Sequence, residues 1–242
     1  MERGPRLSVV IPFRDEAASL VALHGELSAV LDDLSYGSEI LFVDDASQDE
    51  GPRIVSALAS SDSRIRLLCL TPHSGQSAAL EAGFRAAHGE IVAMLDADLQ
   101  NDPADLPDLL RGLDRADCVC GVRIARQDPL ARRLASRAAN GIRRRVLGDG
   151  IQDVGCSIRV ARASYLARIR LFHGAHRFLP FLLQLEGARI LERPVHHRPR
   201  RNGRSKYRIG SRLGAVWIDL LAMIWWRRRV DRYQVKELSR RA

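Results

Sequence analysis

One pattern recurs through the first half of the sequence: a short apolar run, a segment with helical spacing, then another apolar run. The runs are "RLSVVIP", "EILFVDD", "IRLLCL", "EIVAML" and "DCVCGV". Between them, Asp15–Leu34 carries Leu20, Leu23, Leu27, Val30 and Leu31 on one helical face, and "GPRIVSALAS" and Gln76–Ala87 read as further helices. Runs without polar alternation suit strands buried on both faces, and strands alternating with helices lie parallel. The expected fold class is therefore α/β, a mostly parallel central sheet with helices on both faces. Within the third helix Ala79, Leu80 and Gly83 permit close packing, and Gly75 reads as a turn glycine. Asp102 and Pro103 supply a cap and first-turn proline for the helix after the fourth strand, with Pro107 leaving its start open.

The second half is less regular. Leu130–Leu147 reads as a basic helix, "CSIRVA" and "RILERPVHHRP" as strands, and "HRFLPFLLQLEGA" as a helix broken near Pro180. "RRNGRSKYRIGS" reads as a basic loop and Leu213–Trp226 as a last helix. His196 and His197 are expected on opposite faces of their strand, without metal-ligand spacing. The chain has 242 residues, enough for one large domain or two small ones.

Charge divides the halves more sharply than periodicity does. Residues 1–121 hold 9 Arg and no Lys against 21 Asp and Glu, whereas residues 122–242 hold 29 Arg and Lys against 8 acids. A bias toward arginine cannot by itself segregate sign along a chain. An acidic half suits cation binding, and a basic half suits phosphates, nucleic acid or an anionic membrane. Cys69, Cys118, Cys120 and Cys156 form no Cys-x-x-Cys pair and are expected to be reduced core thiols in a cytoplasmic protein. "LSVVIP" begins at Leu7, so no secretory signal is expected.

Ligands of such a sheet bind beyond the carboxyl ends of its strands. Arg14, Asp15 and Glu16 follow the first strand, Asp44 and Asp45 the second, Asp96, Asp98 and Gln100 the fourth, and Arg123 the fifth. One acid there is often only a helix cap, but four strand ends converging on one edge mark a site. In extended backbone Asp96, Asp98 and Gln100 would project to one side. Oxygen-only ligands suit a hard divalent ion, Mg²⁺ or Mn²⁺, with positions left for phosphate oxygens. The first strand ends in "PFRDE", without the glycines of a dinucleotide fingerprint or a P-loop.

"VVIPFRDE", "ILFVDDAS", "GQSAALEAGFRAAHGEIVAMLDADLQNDP", "GVR", "QDVGCSIRV", "HRFLP" and "RRNGRSKY" stand in the order seen in family 2 glycosyltransferases of the GT-A fold. Over about Leu7 to Tyr207 the chain most resembles the polyprenyl-phosphate sugar transferases, such as dolichol-phosphate mannosyltransferase and its bacterial relatives. That resemblance implies a GT-A catalytic domain over residues 1–210, with a nucleotide and metal half (1–122) and an acceptor half (123–210), followed by a tail over 211–242. It implies nucleotide-sugar binding by Pro12, Arg14, Glu16, Asp44, Asp45, Asp96, Arg123 and Ser205, and metal binding by Asp96, Asp98 and Gln100. It implies that Asp153 lies near the acceptor and that Arg200, Ser205 and Lys206 sit on a loop closing over the phosphates. Arg14 stands where an aromatic residue is common, and Pro72 and His73 stand where many relatives have Arg-Asn.

The implied reaction is an inverting transfer from a nucleoside-diphosphate-sugar to a polyprenyl phosphate at the inner face of the cell membrane, assisted by a divalent metal. A hydroxyl acceptor needs a general base, whereas a phosphate monoester is mostly dianionic at neutral pH and needs none. Asp153 is then a base in the first case and an orienting group in the second. "LGAVWIDLLAMIWW" is too short to span a bilayer and runs into Arg227–Arg229. Leu213, Trp217, Leu220, Leu221, Ile224 and Trp225 share one helical face, the pattern of an interfacial helix on an anionic membrane or of a core helix. Several relatives continue into transmembrane helices at this point; attachment here is expected to be peripheral. A soluble transferase acting on a sugar hydroxyl is the alternative. A nucleic-acid-binding module is disfavoured by the absence of interleaved aromatics, a zinc pattern or a helix-turn-helix.

Overall fold

The computed structural model describes residues 4–124, 140–199 and 213–229. Seven strands form one sheet: β1 (Leu7–Phe13), β2 (Ser38–Asp44), β3 (Ile65–Cys69), β4 (Ile91–Met94), β5 (Cys118–Arg123), β6 (Arg159–Arg162) and β7 (Ile190–Val195). Their order is β3-β2-β1-β4-β6-β5-β7. The helices are α1 (Ala17–Asp32), α2 (Gly51–Ser61), α3 (Gln76–Ala86), α4 (Leu106–Gly112), α5 (helical residues 140–147), α6 (Ala163–Leu166), α7 (Leu179–Leu185) and α8 (Leu213–Arg227).

The mostly parallel sheet expected from the sequence is present. β1 pairs in parallel with β2 and β4, β2 with β3, and β5 with β7. β6 alone runs antiparallel, inserted between β4 and β5. All seven residues of β1 are buried, because this central strand is covered on both faces. Val9 and Ile11 enter the core under α1, α2 and α4, whereas Val10 enters the core shared with α3 and α7. That alternation is why the run is apolar without a gap.

Gly83 brings α3 onto the sheet, since a Cβ there would lie 2.3 Å from Val10 Cγ1. Asp102 caps a 3₁₀ turn, Pro103–Asp105, through Ala104 N at 3.0 Å, and α4 begins only at Leu106. The break near Pro180 is a junction: a 3₁₀ turn over Ala175–Phe178 ends and α7 begins, with Pro180 in its first turn. Cys118, Cys120 and Cys156 are buried free thiols, but Cys69 is exposed. It ends β3, the sheet edge, so it is not the core thiol the sequence suggested.

The C-terminal helix divides the single apolar face assigned to it. Leu220 and Met223 are buried in the α3–α7 core, and Arg227 Nη1 donates to Leu147 O at 2.7 Å, closing the end of α5. Ile218, Leu221 and Trp225 are 68%, 63% and 59% exposed and lie at helical spacing on the outer side. Leu220 thus belongs to the core and Leu221 and Trp225 to the surface. Among the described residues, no helix is long and apolar enough to cross a membrane.

Candidate active site

Chain order departs to one side of β1 through β2 and β3 and to the other through β4. The crevice between the carboxyl ends of β1 and β4 is therefore the topological switch point, where sheets of this type bind ligands. A cavity of about 380 Å³ opens there, and Pro12, Arg14, Glu16, Asp45, Asp96 and Asp98 line it. Among the described residues, three non-glycine residues with left-handed backbone stand on this edge: Asp15 (φ 49°), Ala46 (φ 56°) and Leu99 (φ 61°). Such conformations are costly and persist where surrounding contacts fix them.

The loops after β1 and β2 supply those contacts by bonding to each other. Asp15 N donates to Ser47 Oγ at 3.0 Å, and Gln48 N donates to Asp15 Oδ1 at 2.7 Å. Asp49 accepts from Ala17 N at 2.8 Å and from Gly51 N at 2.9 Å, tying the starts of α1 and α2 together. Asp45 holds the loop before α3: Ser74 N, Gly75 N and His73 Nδ1 lie 2.7, 2.9 and 2.8 Å from its carboxylate. Asp44 is buried and accepts from Ser47 N at 3.0 Å; it shapes its own loop and does not line the cavity.

The segment Asp96–Gln100 is a turn rather than the extended backbone that the alternating oxygens suggested. Asp96 and Asp98 line the cavity, but Gln100 does not; its Nε2 faces Arg198 O at 3.4 Å, and its N donates to Asp98 Oδ1 at 3.2 Å. The left-handed Leu99 turns the chain between them. The two carboxylates suit a hard divalent ion that keeps its other positions for phosphate and water. Among the described residues no group of three or more His, Cys, Asp or Glu side chains forms a metal cluster.

Asp153 and Arg123 meet each other. Arg123 Nε and Nη2 donate to the two carboxylate oxygens, both at 2.8 Å, with the Arg123 side chain 13% exposed and that of Asp153 8%. Gly155 completes the clamp, since a Cβ there would lie 2.6 Å from Arg123 Nη2. Both residues lie beside the cavities rather than on their walls. Arg200, Ser205 and Lys206 lie outside the described residues. His196 pairs with Asp105 at 2.8 Å, while His197 turns toward Gln100; the two diverge as expected, but both lie beyond β7, which ends at Val195, rather than within the strand.

A second cavity, of about 470 Å³, adjoins the first and shares Gln76, Asp96, His176 and Arg177 with it. None of the three non-acidic members was assigned from sequence. Gln76 opens α3 after Gly75 (φ 89°) and donates through Nε2 to Asp96 Oδ1 at 2.8 Å. His176 Nδ1 lies 2.9 Å from Ser77 Oγ, which fixes the "HRFLP" turn against α3. The signal for these residues was present in the quoted "GQS" and "HRFLP" motifs, but nothing in either said that they meet. Cys156 also lines this cavity, and burial pushes its thiol up to about 12, so it remains a protonated wall.

An α/β sheet with a cavity at its switch point is a fold class that takes its ligands in that crevice. Solved structures share this fold. Glucosyl-3-phosphoglycerate synthase from Mycobacterium tuberculosis, in complex with Mn²⁺, UDP and glucosyl-3-phosphoglycerate, matches with TM-score 0.69 and 21% identity over 93% of this chain and 80% of that one. The same enzyme has been solved with Mg²⁺ and UDP, at TM-score 0.67. The family profile for glycosyl transferase family 2 matches residues 8–170, and the chain belongs to that family.

Among curated relatives, undecaprenyl-phosphate 4-deoxy-4-formamido-L-arabinose transferase of Edwardsiella ictaluri is 38% identical over 83% of this chain and 62% of its own length. The transferase of the same name from Salmonella paratyphi A is 38% identical over 90% of this chain and 67% of its own length. The chain thus spans about two thirds of these relatives.

Proposed function

We propose that this glycosyltransferase moves a sugar from a nucleoside-diphosphate-sugar to a polyprenyl phosphate at a membrane surface. The observation that carries this reading is the 38% identity, across 90% of the chain, to transferases named for undecaprenyl phosphate. The donor occupies the switch-point cavity, its nucleoside toward Pro12, Glu16 and Asp45 and its diphosphate toward Asp96 and Asp98. These two carboxylates hold the divalent ion, which when bound supplies positive charge against the leaving diphosphate. Gln76 fixes the orientation of Asp96. Arg200, Ser205 and Lys206 lie outside the described residues; we propose that they act on the phosphates as cationic and hydrogen-bonding groups.

During transfer the bond from anomeric carbon to diphosphate oxygen breaks, and a bond to an acceptor oxygen forms on the opposite face. A phosphate oxygen is already ionised at neutral pH. Asp153 is engaged through both oxygens by Arg123, a poor arrangement for taking a proton and a good one for aiming a guanidinium. We assign Asp153 to positioning Arg123 beside the acceptor.

The outer face of α8 supports a membrane-bound acceptor. Ile218, Leu221 and Trp225 form an exposed apolar stripe, Arg228 and Arg229 follow it, and Arg229 lies 5.7 Å from the Trp225 ring centroid. Apolar side chains flanked by arginines suit an anionic lipid surface. Incubating membranes and protein with a panel of labelled sugar nucleotides tests the whole reading. Label should enter a lipid-extractable product that mild acid releases as free sugar. Label found only in water-soluble glycans would instead favour transfer to a hydroxyl.

A further inference from the structure

Among the described residues, two arginines are deeply buried, Arg143 at 6% and Arg159 at 4% exposure. Arg143 is neutralised by Asp149, with its second nitrogen on Ile151 O. Arg159 has no such acid. Its Nη1 donates to His176 O at 3.1 Å and its Nη2 to Val154 O at 2.7 Å, its Nε has no hydrogen-bond partner, and no described carboxylate pairs with it. Neutral carbonyls orient a guanidinium but leave its charge unbalanced. A buried, unbalanced cation is costly unless an anion joins it.

This cation lines the second cavity, whose other walls include Leu80, Met94, Leu95 and Val154. The apolar walls lower the local dielectric and strengthen attraction to any anion that enters. The cavity meets the donor cavity at Gln76, Asp96, His176 and Arg177, so a group held in it lies next to the diphosphate end of the donor.

We propose that the second cavity is an oxyanion site in which Arg159 is the buried cation that binds a phosphate monoester. This rests on the reading of the first cavity as the donor site and names where the acceptor's charged end lodges. The same chemistry could be presented by a prenyl phosphate or by a soluble phosphate ester, and the apolar walls favour the prenyl form.

The test is binding, by calorimetry and thermal shift, of citronellyl phosphate and of inorganic phosphate to the full chain and to Arg159→Met. Without ligand, Arg159→Met loses the unbalanced charge but also the donors to His176 O and Val154 O, so its melting temperature is recorded beside the binding to confirm a folded chain. It should bind citronellyl phosphate at least about tenfold more weakly, the loss expected for a charged hydrogen-bond donor. Arg159→Lys should retain part of the binding. Should the Met variant not fold, Arg159→Gln must show the same loss.

Weaker binding of inorganic phosphate than of citronellyl phosphate assigns the site to the lipid-linked acceptor. Equal binding assigns it to soluble phosphate esters. Undiminished binding of both ligands by Arg159→Met and Arg159→Gln overturns the site. Because no donor is present, the result is independent of transfer: a chain that binds phosphate through Arg159 but transfers no sugar refutes the proposed function and leaves the oxyanion site standing.

Discussion

The acidic and basic halves of the sheet edge use charge in opposite ways. In the first half carboxylates are plentiful, and many of them are structural. Asp44, Asp45 and Asp49 each accept backbone N–H groups and hold the loops around the donor cavity. In the second half acids are scarce, and the buried ones orient arginines: Asp153 clamps Arg123 and Asp149 clamps Arg143. The segregated sign of the sequence therefore does not mark one half for metal and the other for phosphate residue by residue. It marks a half in which acids build the frame and a half in which acids aim cations. Arg159, buried without an acid partner among the described residues, is the exception that points to a ligand.

The largest effect that would sharpen this comparison is expected at Asp98. Asp98→Asn should lower transfer by roughly 10²–10³-fold, the scale for losing one group that stabilises developing charge, and should raise the metal concentration required. Asp49→Asn, on the same edge but structural, should change stability and leave metal response alone. Equal metal response in wild type and Asp98→Asn would break the division.

Asp153→Asn should be next. Removing the acid strands a buried guanidinium, a loss of about 3–5 kcal/mol measurable by denaturant unfolding. Activity should fall, while the pH–rate profile keeps the wild-type shape. A variant rate that climbs between about pH 7 and 9, where the wild type is flat, would restore Asp153 as a general base and favour a hydroxyl acceptor.

Two glycine substitutions compare packing in the two halves. Gly83→Ala in α3 must push against Val10 and should destabilise by about 1–3 kcal/mol. Gly141→Ala in α5 meets nothing within 4 Å and should stabilise by about 0.5–1 kcal/mol. Opposite signs in thermal unfolding are the expected readout.

The smallest stability change should come from Leu221→Ser with Trp225→Ser, both exposed on α8. The melting temperature should hardly move, while sedimentation with vesicles containing anionic lipid should fall. Unaltered partitioning would remove α8 from membrane attachment.

What the sequence determined by itself was local. Continuous apolar runs announced strands covered on both faces, helical spacing placed α1 through α3, and polar residues after successive strands pointed to the sheet edge where the cavity opens. These features are legible because each depends on the alternation or spacing of neighbouring side chains. The tertiary structure decided the partnerships. It placed β6 antiparallel between β4 and β5, turned Asp44 into its own loop, and brought Gln76 to Asp96 across 20 residues. It also locked Asp153 onto Arg123, left Arg159 without an acid among the described residues, and gave α8 one face in the core and one in solvent. Periodicity states that a face is apolar, but not what will cover it. A charged side chain's role depends on which groups, tens of residues away, the packed sheet sets within hydrogen-bonding distance.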